Sequence, residues 1–348
     1  MGRNPVETDA PEYSYSDTKI DTSITSSNTG IDTLHIDPAS TTSNDEQQQH
    51  NARVTTAETV LMKFLRPGRM IPTPSQRKVL DTAETFTTDI DSVPIKTYIW
   101  SCRNAVTVAP TVLLSHGFLY NAASMLKFVA PLLRVGYRVV TWDHCAHGES
   151  GGDFTDLRLW IKTIQVMADE YAPLAGVVAF SVGSTAALTA LAQAQSSNQN
   201  LCVPSLVCIN PPLQMDTVLK GFLRMYGYDK AAVADMMPLI HGVAKDKDIY
   251  LPEQVREGLP AHVGSGGLAS TRVLLVQDRN DSVASVGEAE WVVELLRRGR
   301  GDESANVELR LTEKLDHGGA LGDEGVVRLA TEFVMGKDGG VLGRVSRL

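Results

Sequence analysis

Short runs of apolar residues alternate with longer segments in which apolar residues recur every three or four positions. The short runs, bounded by turn-forming residues, predict β-strands, and the periodic segments predict amphipathic helices. Such an alternation predicts a mostly parallel sheet that helices cover on both faces. The predicted strands are 86–90, 94–102, 111–115, 137–143, 176–180, 206–210, 272–276 and 306–311. The predicted helices of this body are 57–65, 123–135, 156–171, 183–194, 286–297 and 325–335.

Residues 213–270 interrupt the alternation. They hold two helical patterns, 215–226 and 230–243, and then a looser stretch with prolines and glycines. Large apolar side chains are frequent in the two helices, which favours a helical cap over a pocket rather than an elaborated surface loop. We therefore expect a core of residues 82–212 and 271–336 that carries a cap insertion of residues 213–270.

The two ends differ in composition from the body of the chain. Residues 1–51 are rich in Ser, Thr, Asp, Asn and Gln and contain few large apolar side chains. Such a segment cannot bury enough apolar surface to offset the entropy lost on ordering, so it is predicted to be a disordered tail. Residues 52–81 are expected to lead into the core, and residues 337–348, with several glycines, to form a flexible tail.

The last three residues resemble a targeting signal. Ser-Lys-Leu at a C-terminus is a peroxisomal address, and Arg in place of Lys keeps the positive charge. We therefore expect a peroxisomal location, with the cytoplasm as the alternative, and binding to the peroxisomal import receptor. The residues concerned are Ser346, Arg347 and Leu348.

Charge and composition disfavour several classes of function. The 348 residues carry a formal net charge of -9, which disfavours nucleic acid or an anionic membrane as the main partner, since both attract basic surfaces. No stretch is long and apolar enough to predict a membrane span. The four cysteines lack both C-x-x-C pairing and metal-ligand spacing. We therefore expect a reduced protein with no metal site and no cofactor.

The segment from Ala179 to Gly183 carries the strongest chemical signal. Ser181 stands between the predicted strand 176–180 and the predicted helix 183–194, among small residues. This arrangement is typical of a nucleophile elbow, a sharp strand-to-helix turn that exposes a serine hydroxyl. The alternative is an ordinary helix N-cap, which a serine before a helix usually forms. Ala179 stands where the elbow motif usually has glycine.

Other chemistry-bearing residues follow the ends of further strands. In an open parallel sheet, ligands bind beyond the carboxyl ends of the strands, so side chains at these ends are expected to meet. The residues concerned are His116, Gly117 and Phe118 after the strand 111–115, Asp278 and Asp281 after 272–276, and His317 after 306–311.

These residue types can perform nucleophilic catalysis together. Ser181 needs a base to remove its proton, and the neutral ring of His317 can take that proton and later return it. A carboxylate would hold the tautomer of the histidine. Asp281 is preferred for this role, while Asp278, which is nearer to its strand, suits a turn or a cap in the loop.

The motifs together resemble those of the α/β-hydrolase superfamily, in which serine, acid and histidine follow each other in this chain order. The resemblance extends from about residue 82 to residue 336. It implies an α/β fold whose mostly parallel eight-stranded sheet has an antiparallel second strand, with a cap after the sixth strand. The motifs that carry it are residues 114–118, 143–150, 179–183, 278–281 and 316–318.

Further residues are expected to support the reaction. The backbone N–H groups of Phe118 and Val182 are predicted to form an oxyanion hole. The resemblance implies that His116, with Gly117, supports the oxyanion loop rather than reacting, and that Gly183 keeps the elbow tight. No catalytic role is predicted for the other polar residues of interest, which are Asp143, His144, His147, His241 and Asp316.

The function expected is that of a serine hydrolase acting on a small-molecule acyl substrate. Such an enzyme would cleave a carboxylic ester or thioester through an acyl-enzyme that water then releases. The same triad on this fold also supports an acyltransferase, a carbon–carbon bond hydrolase or a haloperoxidase-like enzyme. A ligand-binding protein that kept the pocket without catalysis is a further alternative.

Overall fold

Eight strands form one sheet at the centre of the computed structural model, which describes residues 43–101, 109–194, 203–263, 267–300 and 306–336. In chain order they are β1 (Glu84–Ile90), β2 (Val93–Trp100), β3 (Thr111–Ser115), β4 (Arg138–Trp142), β5 (Leu174–Phe180), β6 (Ser205–Ile209), β7 (Arg272–Asp278) and β8 (Val307–Thr312).

The strands lie in the order β1-β2-β4-β3-β5-β6-β7-β8. Strand β2 pairs antiparallel with both of its neighbours, β1 and β4, and every other neighbouring pair is parallel. The predicted mostly parallel sheet with an antiparallel second strand is confirmed. The carboxyl ends of β3 to β8 therefore lie along one edge, which is where ligands bind in open parallel sheets.

Helices cover both faces of the sheet. Helices α3 and α11 pack on one face, and α4, α5 and α9 pack on the other. In chain order the helices are α1 (Ser43–Phe64), α2 (Pro74–Leu80), α3 (Leu126–Arg134), α4 (Leu157–Glu170), α5 (Val182–Gln193), α6 (Asp216–Met225), α7 (Lys230–Asp246), α8 (Pro252–Gly258), α9 (Val286–Arg300), α10 (Asp316–Gly319) and α11 (Glu324–Val334).

The strands bury side chains on both faces. Side chains of successive strand residues point to opposite sides of a sheet. On β3, Val112 and Leu114 join the hydrophobic cluster that includes α3 and α11, while Leu113 joins the cluster that includes α4 and α5. All three are fully buried. Burial on both sides explains why the strands read as continuous apolar runs rather than alternating ones.

The cap lies between β6 and β7, as predicted, and consists of α6, α7 and α8 with short 3-10 turns at Leu259–Ala261 and Gly267–Ala269. Helix α8 lies in the stretch that the sequence indicated as loose. Its first residue is Pro252, and proline is well suited to the first position of a helix, where no intrahelical acceptor is needed for its missing N–H.

The N-terminal helix α1 is longer than predicted. It begins at Ser43, so residues 43–51 are helical and not part of a disordered tail. The buried residues of the helix recur at helical spacing and pack into the same hydrophobic cluster as the cap; they are Ala57, Val60, Leu61 and Phe64. Tertiary packing of this apolar face stabilises the helix, and its polar first turns extend from it.

The predicted tails lie largely outside the described residues. These exclude residues 1–42 and 337–348, so the disorder, the flexible tail and the targeting role of Ser346, Arg347 and Leu348 stay predictions. Cys102 and Cys202 are also outside the described ranges, while Cys145 and Cys208 are buried free thiols. Within the described part of the chain, no helix has both the length and the apolar character of a membrane span.

Candidate active site

Ser181 lies in a sharp turn between β5 and α5. Its backbone has φ 53° and ψ -130°, a conformation that residues other than glycine rarely adopt and that is found mainly at functional sites. Its N–H donates to the carbonyl of Ile209 at 2.8 Å. Its side chain makes no capping hydrogen bond to α5. The geometry therefore matches the predicted elbow and not the alternative of an ordinary N-cap.

The hydroxyl of Ser181 is hydrogen-bonded to His317. The distance from Oγ to Nε2 is 2.8 Å, and Nδ1 of the same ring lies 2.8 Å from Oδ2 of Asp281. The Asp281 side chain is fully buried and the His317 side chain is 13% exposed. The structure thus brings together the three residues that the sequence placed at the ends of three different strands.

The two candidate carboxylates have different surroundings. Asp281 turns one oxygen to His317, and its other oxygen accepts from the N–H groups of Val283 and Ala284 at 2.7 and 2.8 Å. Asp278 instead holds the loops after β7 and β8 together through Thr312, Leu315, Asn280 and Asp316. Asp281 is therefore the carboxylate that can orient the imidazole, and Asp278 fixes the loops around it.

Asp316 is exposed, in keeping with its expected solvation, and it also has a structural contact. Its Oδ1 accepts hydrogen bonds from the backbone N–H and the hydroxyl of Ser282 at 3.1 and 3.0 Å. Ser282 directly follows Asp281 in the chain. The carboxylate of Asp316 thus joins the loop of the acid to the loop of the histidine.

Two glycines allow the elbow and the loop after β3 to approach each other. A Cβ atom on Gly117 would lie 2.7 Å from Cβ of Ser181, and one on Gly183 would lie 2.3 Å from the carbonyl oxygen of His116. Real Cβ contacts are not that short, so any larger residue at either position would force the two segments apart.

Two backbone N–H groups next to Ser181 can bind an oxyanion. Val182 begins α5, where the first N–H groups have no intrahelical acceptor, and Phe118 follows Gly117 in the adjacent loop. Among the described residues, no acceptor is found for either N–H. The neighbouring N–H of Leu119 is occupied, since it donates to Nε2 of His147 at 3.2 Å. Both predicted donors thus have no acceptor among the described residues, and their role as an oxyanion hole stays a prediction.

The two departures from the usual elbow motif are accommodated by small size. Ala179 is fully buried at the end of β5. The hydroxyl of Ser184 donates to the carbonyl of Ala179 at 2.7 Å and accepts from the N–H of Ile209 at 3.2 Å. It therefore ties the first turn of α5 to the strand ends on both sides.

Comparison with solved structures identifies the fold. An esterase from Pyrococcus furiosus matches with a TM-score of 0.55 at 20% identity, over 78% of this chain and 97% of its own. A soluble variant of monoglyceride lipase from Saccharomyces cerevisiae gives 0.52 at 14% identity, over 75% and 96%. The mouse α/β-hydrolase domain-containing protein 10 gives 0.50 at 14% identity, over 73% and 98%. The chain has the α/β-hydrolase fold.

No family model matches the sequence, and no curated protein matches it. Because these structures are only 14% to 20% identical to this chain, their likeness shows the fold alone. An α/β-hydrolase fold supports many different reactions, so the reaction has to be argued from the site.

Three buried histidines surround the loop after β3, which contains the predicted oxyanion donor Phe118. Nδ1 of His116 donates to the carbonyl of Gly117 at 2.8 Å, and its Nε2 accepts from the N–H of His144 at 2.9 Å. Nδ1 of His147 donates to the carbonyl of Cys145, and its Nε2 accepts from Leu119. The predicted supporting role of His116 agrees with these contacts, because both of its nitrogens bind backbone.

The histidines are held in their neutral forms. Burial lowers the pKa of His147 to about 4 and holds the pKa values of His116 and His144 well below the ordinary value. His144 stacks on Trp160 with ring centroids 3.8 Å apart, and its Nε2 lies 2.9 Å from Oγ of Ser115. None of the three contacts Ser181 by a hydrogen bond, so they shape the loop rather than share the proton of the triad.

Arg69 is a structural residue of the site that sequence reasoning missed. Its guanidinium donates to four backbone carbonyls in the loop after β4, which contains the predicted structural residues Asp143 and Gly148. The acceptors are His147 at 3.1 Å, Gly148 at 2.8 Å, Ser150 at 2.6 Å and Gly152 at 2.6 Å. No motif signals such a clamp, because its acceptors are main-chain atoms far away in sequence.

Asn210 is a second residue that sequence reasoning missed. It follows β6 with φ 48° and is fully buried. Its Nδ2 donates to the carbonyl of His317 at 2.8 Å, and its Oδ1 accepts from the N–H of Asp278 at 3.0 Å. One side chain therefore joins the loop of the acid to the loop of the histidine, directly beside the elbow.

Two polar side chains of the cap, His241 and Glu253, have partners within the cap itself. His241 on α7 contacts Asp216 on α6 through Nε2 at 2.9 Å, which gives this unassigned histidine a structural partner. Burial raises the pKa of Glu253, which accepts from the N–H of Met215. Across the residues that the structure describes, no group of three or more His, Cys, Asp or Glu side chains could hold a metal ion.

Proposed function

We propose that the chain is a serine hydrolase that cleaves a carboxylic ester or thioester. The observation that carries the proposal is the continuous pair of 2.8 Å contacts from Ser181 through His317 to Asp281, with the serine in a strained turn beside two free N–H groups. A nucleophile bonded to a base, which a carboxylate orients in turn, is the arrangement that covalent acyl transfer requires.

In the first half of the proposed reaction, Nε2 of His317 accepts the proton of Ser181 while Oγ attacks the acyl carbonyl. Asp281 accepts a hydrogen bond from Nδ1, which keeps the ring in the tautomer with a free Nε2 lone pair and stabilises the imidazolium that forms. The histidine then returns the proton to the departing alkoxide or thiolate. The products of this half are the free alcohol or thiol and an acyl ester on Ser181.

In the second half, water replaces the leaving group. His317 removes a proton from water as the hydroxide adds to the acyl carbonyl, and the released Oγ of Ser181 takes the proton back. Both tetrahedral intermediates place a negative oxygen near the N–H groups of Val182 and Phe118. Each such donor typically contributes about 2.7–4 kcal/mol to catalysis.

The structural matches support ester chemistry among the reactions of this fold. One of them is an esterase and another is a monoglyceride lipase. They share the fold at low identity, so they favour a class of bond and do not name a substrate.

The test is hydrolysis of a panel of p-nitrophenyl esters and acyl-CoA thioesters of matched acyl chain length. We expect turnover of at least one series and a loss of about a thousandfold or more in Ser181→Ala, since residual rates come only from binding and the oxyanion hole. Ser75→Ala, at an exposed position on α2, is the matched control and should keep wild-type rates. Full activity in Ser181→Ala would exclude the mechanism.

A further inference from the structure

Phe64 touches both the cap and the oxyanion loop. It is the last residue of α1 and is 3% exposed. Its ring stacks on Phe118 with centroids 5.0 Å apart and meets the ring of Phe222, on α6 of the cap, edge-on at 5.3 Å. Such offset-stacked and edge-to-face pairs have a preferred geometry, so each ring restricts its neighbours.

Phe118 is enclosed from two sides. Phe64 lies on one side of its ring, and the ring of His147 lies edge-on to it at 5.5 Å. His147 belongs to the loop after β4 and also accepts the N–H of Leu119. Because Leu119 has φ 67°, the backbone after Phe118 turns sharply. The ring contacts of Phe118 and the hydrogen bond of Leu119 together therefore anchor this turn to the rest of the molecule.

The end of α1 is itself firmly attached to the core. The carbonyl of Leu65 accepts from the N–H of Thr155 at 3.0 Å. Asn121, which follows the oxyanion loop, donates from Nδ2 to the carbonyl of Met70 at 2.8 Å, and Arg69 clamps the loop that contains His147. The ring of Phe64 is thus presented from a fixed backbone rather than from a mobile end.

The body of α1 packs against the cap. Helix α1 packs along α7, and ion pairs join Arg53 to Asp235 at 3.3 Å and Glu58 to Lys247 at 2.7 Å. Exposed pairs of this kind contribute little stability, but they show that α1 and the cap form one layer. The ring contact of Phe64 with Phe222 is therefore the link through which the position of the cap affects Phe118.

We propose that Phe64 is a positioning residue: it holds Phe118 so that the N–H of Phe118 points at the oxyanion, and it makes that alignment depend on the cap. The inference rests on the proposed hydrolase function. It gives α1, which precedes the sheet, a role in the site. The side chain of Phe64 plays this role without contacting the reacting atoms. Catalysis is sensitive to such placement, because a shift of about 1 Å can lower a rate about a hundredfold.

The test measures kcat and KM of Phe64→Ala with p-nitrophenyl acetate, whose acyl group is too short to depend on a long acyl pocket. We expect kcat to fall about tenfold or more with KM changed less than about twofold, since an interaction made in the transition state is weakened. Phe64→Leu keeps most of the apolar volume and removes the stacking. It should recover the melting temperature but not the full kcat, which keeps the test valid if Phe64→Ala does not fold.

Phe333→Ala is the matched control. Phe333 is 7% exposed on α11, so its truncation also empties a buried ring position, and it belongs to the other hydrophobic cluster. It should lower the melting temperature without lowering kcat. Equal kcat in wild type, Phe64→Ala and Phe64→Leu, or an equal fall in Phe333→Ala, would overturn the inference and leave the proposed hydrolase intact. A wild-type protein without any esterase or thioesterase activity would overturn both.

Discussion

Ser181 and Asn210 both follow the carboxyl end of a strand with left-handed backbone angles, φ 53° and 48°. Residues other than glycine keep such a conformation only where their surroundings hold them in it. The N–H of Ser181 is bound to the carbonyl of Ile209, and Gly117 lies so close that a Cβ on it would be 2.7 Å from Cβ of Ser181. The N–H of Asn210 is bound to Val276. The strain is thus located where a hydroxyl and a bridging amide have to face the same edge of the sheet.

Asn210→Gly should weaken catalysis. Glycine tolerates the left-handed angle, so the variant removes only the side chain that joins His317 to Asp278. We expect kcat to fall about tenfold because the histidine loop is less well placed. The free energy of unfolding should fall by about 1–3 kcal/mol, because the buried N–H of Asp278 loses its acceptor. Steady-state kinetics and urea titration measure both, and an unchanged kcat would show that the bridge does not position the histidine.

The sequence predicts the triad and not its supports, for a physical reason. Ser181 directly follows β5 two residues before Gly183, and His317 follows β8 next to Gly318. Such local patterns can be recognised. Asn210 reaches residues 68 and 107 positions away, and a lone asparagine after a strand has no motif. Arg69 binds main-chain carbonyls, which leave no signature in the identities of their residues.

At the scale of elements, the unexpected finding is that α1 belongs to the cap layer. Its buried residues Leu61 and Phe64 recur at helical spacing, and the sequence does predict a helix at 57–65. The amphipathic pattern shows that one face is covered, but it does not say by what. The apolar pattern does not predict helix α2, although a signal for it exists: Thr73 caps the helix and Gln76 completes a capping box.

Leu61→Ala should destabilise the protein although Leu61 lies in α1, well before the first strand in the chain. The side chain is fully buried against the cap layer, so its truncation leaves a cavity and should cost about 2–5 kcal/mol. Thr59→Ala, on the exposed face of the same helix, should change the free energy of unfolding by less than about 0.5 kcal/mol. Urea midpoints measure both. Equal urea midpoints for Leu61→Ala and Thr59→Ala would mean that α1 is not packed into the hydrophobic core in solution.

At the scale of the whole molecule, the loops at the sheet edge form two hydrogen-bonded groups, one around Ser181 and His317 and one around the loop after β3. The buried histidines His116, His144 and His147 support the oxyanion loop from the loops after β3 and β4. Because Nε2 of His116 and of His147 accepts a backbone N–H, protonation of either ring would take away the acceptor of that N–H. The alternation of strands and helices predicted the architecture, but only the folded edge shows these rings together.

Stability should fall as the pH falls from about 6.5 towards 4. The folded pKa values of the three histidines are lowered, that of His147 to about 4, so the unfolded chain binds more protons in this window. The contribution of each ring to the free energy of unfolding is therefore complete above the histidine pKa of the unfolded chain, about 6.5. Below that pH it is lost, by up to about 1.4 kcal/mol per pH unit for each ring. Burial raises the carboxyl pKa values of Asp143 and Glu253, which opposes this slope.

Urea titrations at pH 7.5, 6.5 and 5.5 measure the effect. We expect a net loss of about 2–3 kcal/mol in the free energy of unfolding between pH 6.5 and 5.5, and the loss in His147→Gln should be smaller by about 1 kcal/mol. A free energy of unfolding that is equal at pH 6.5 and 5.5 would mean that these rings are not held neutral in the folded state.

The central claim is that Ser181 is an activated nucleophile, and covalent labelling tests it most directly. A fluorophosphonate should form one adduct per folded chain, and peptide mass spectrometry should place it on Ser181. Ser181→Ala should remain unlabelled, and Asp281→Asn should react far more slowly because His317 loses the carboxylate that orients it. A folded wild-type protein that forms no adduct, or forms it on another serine, would contradict the account.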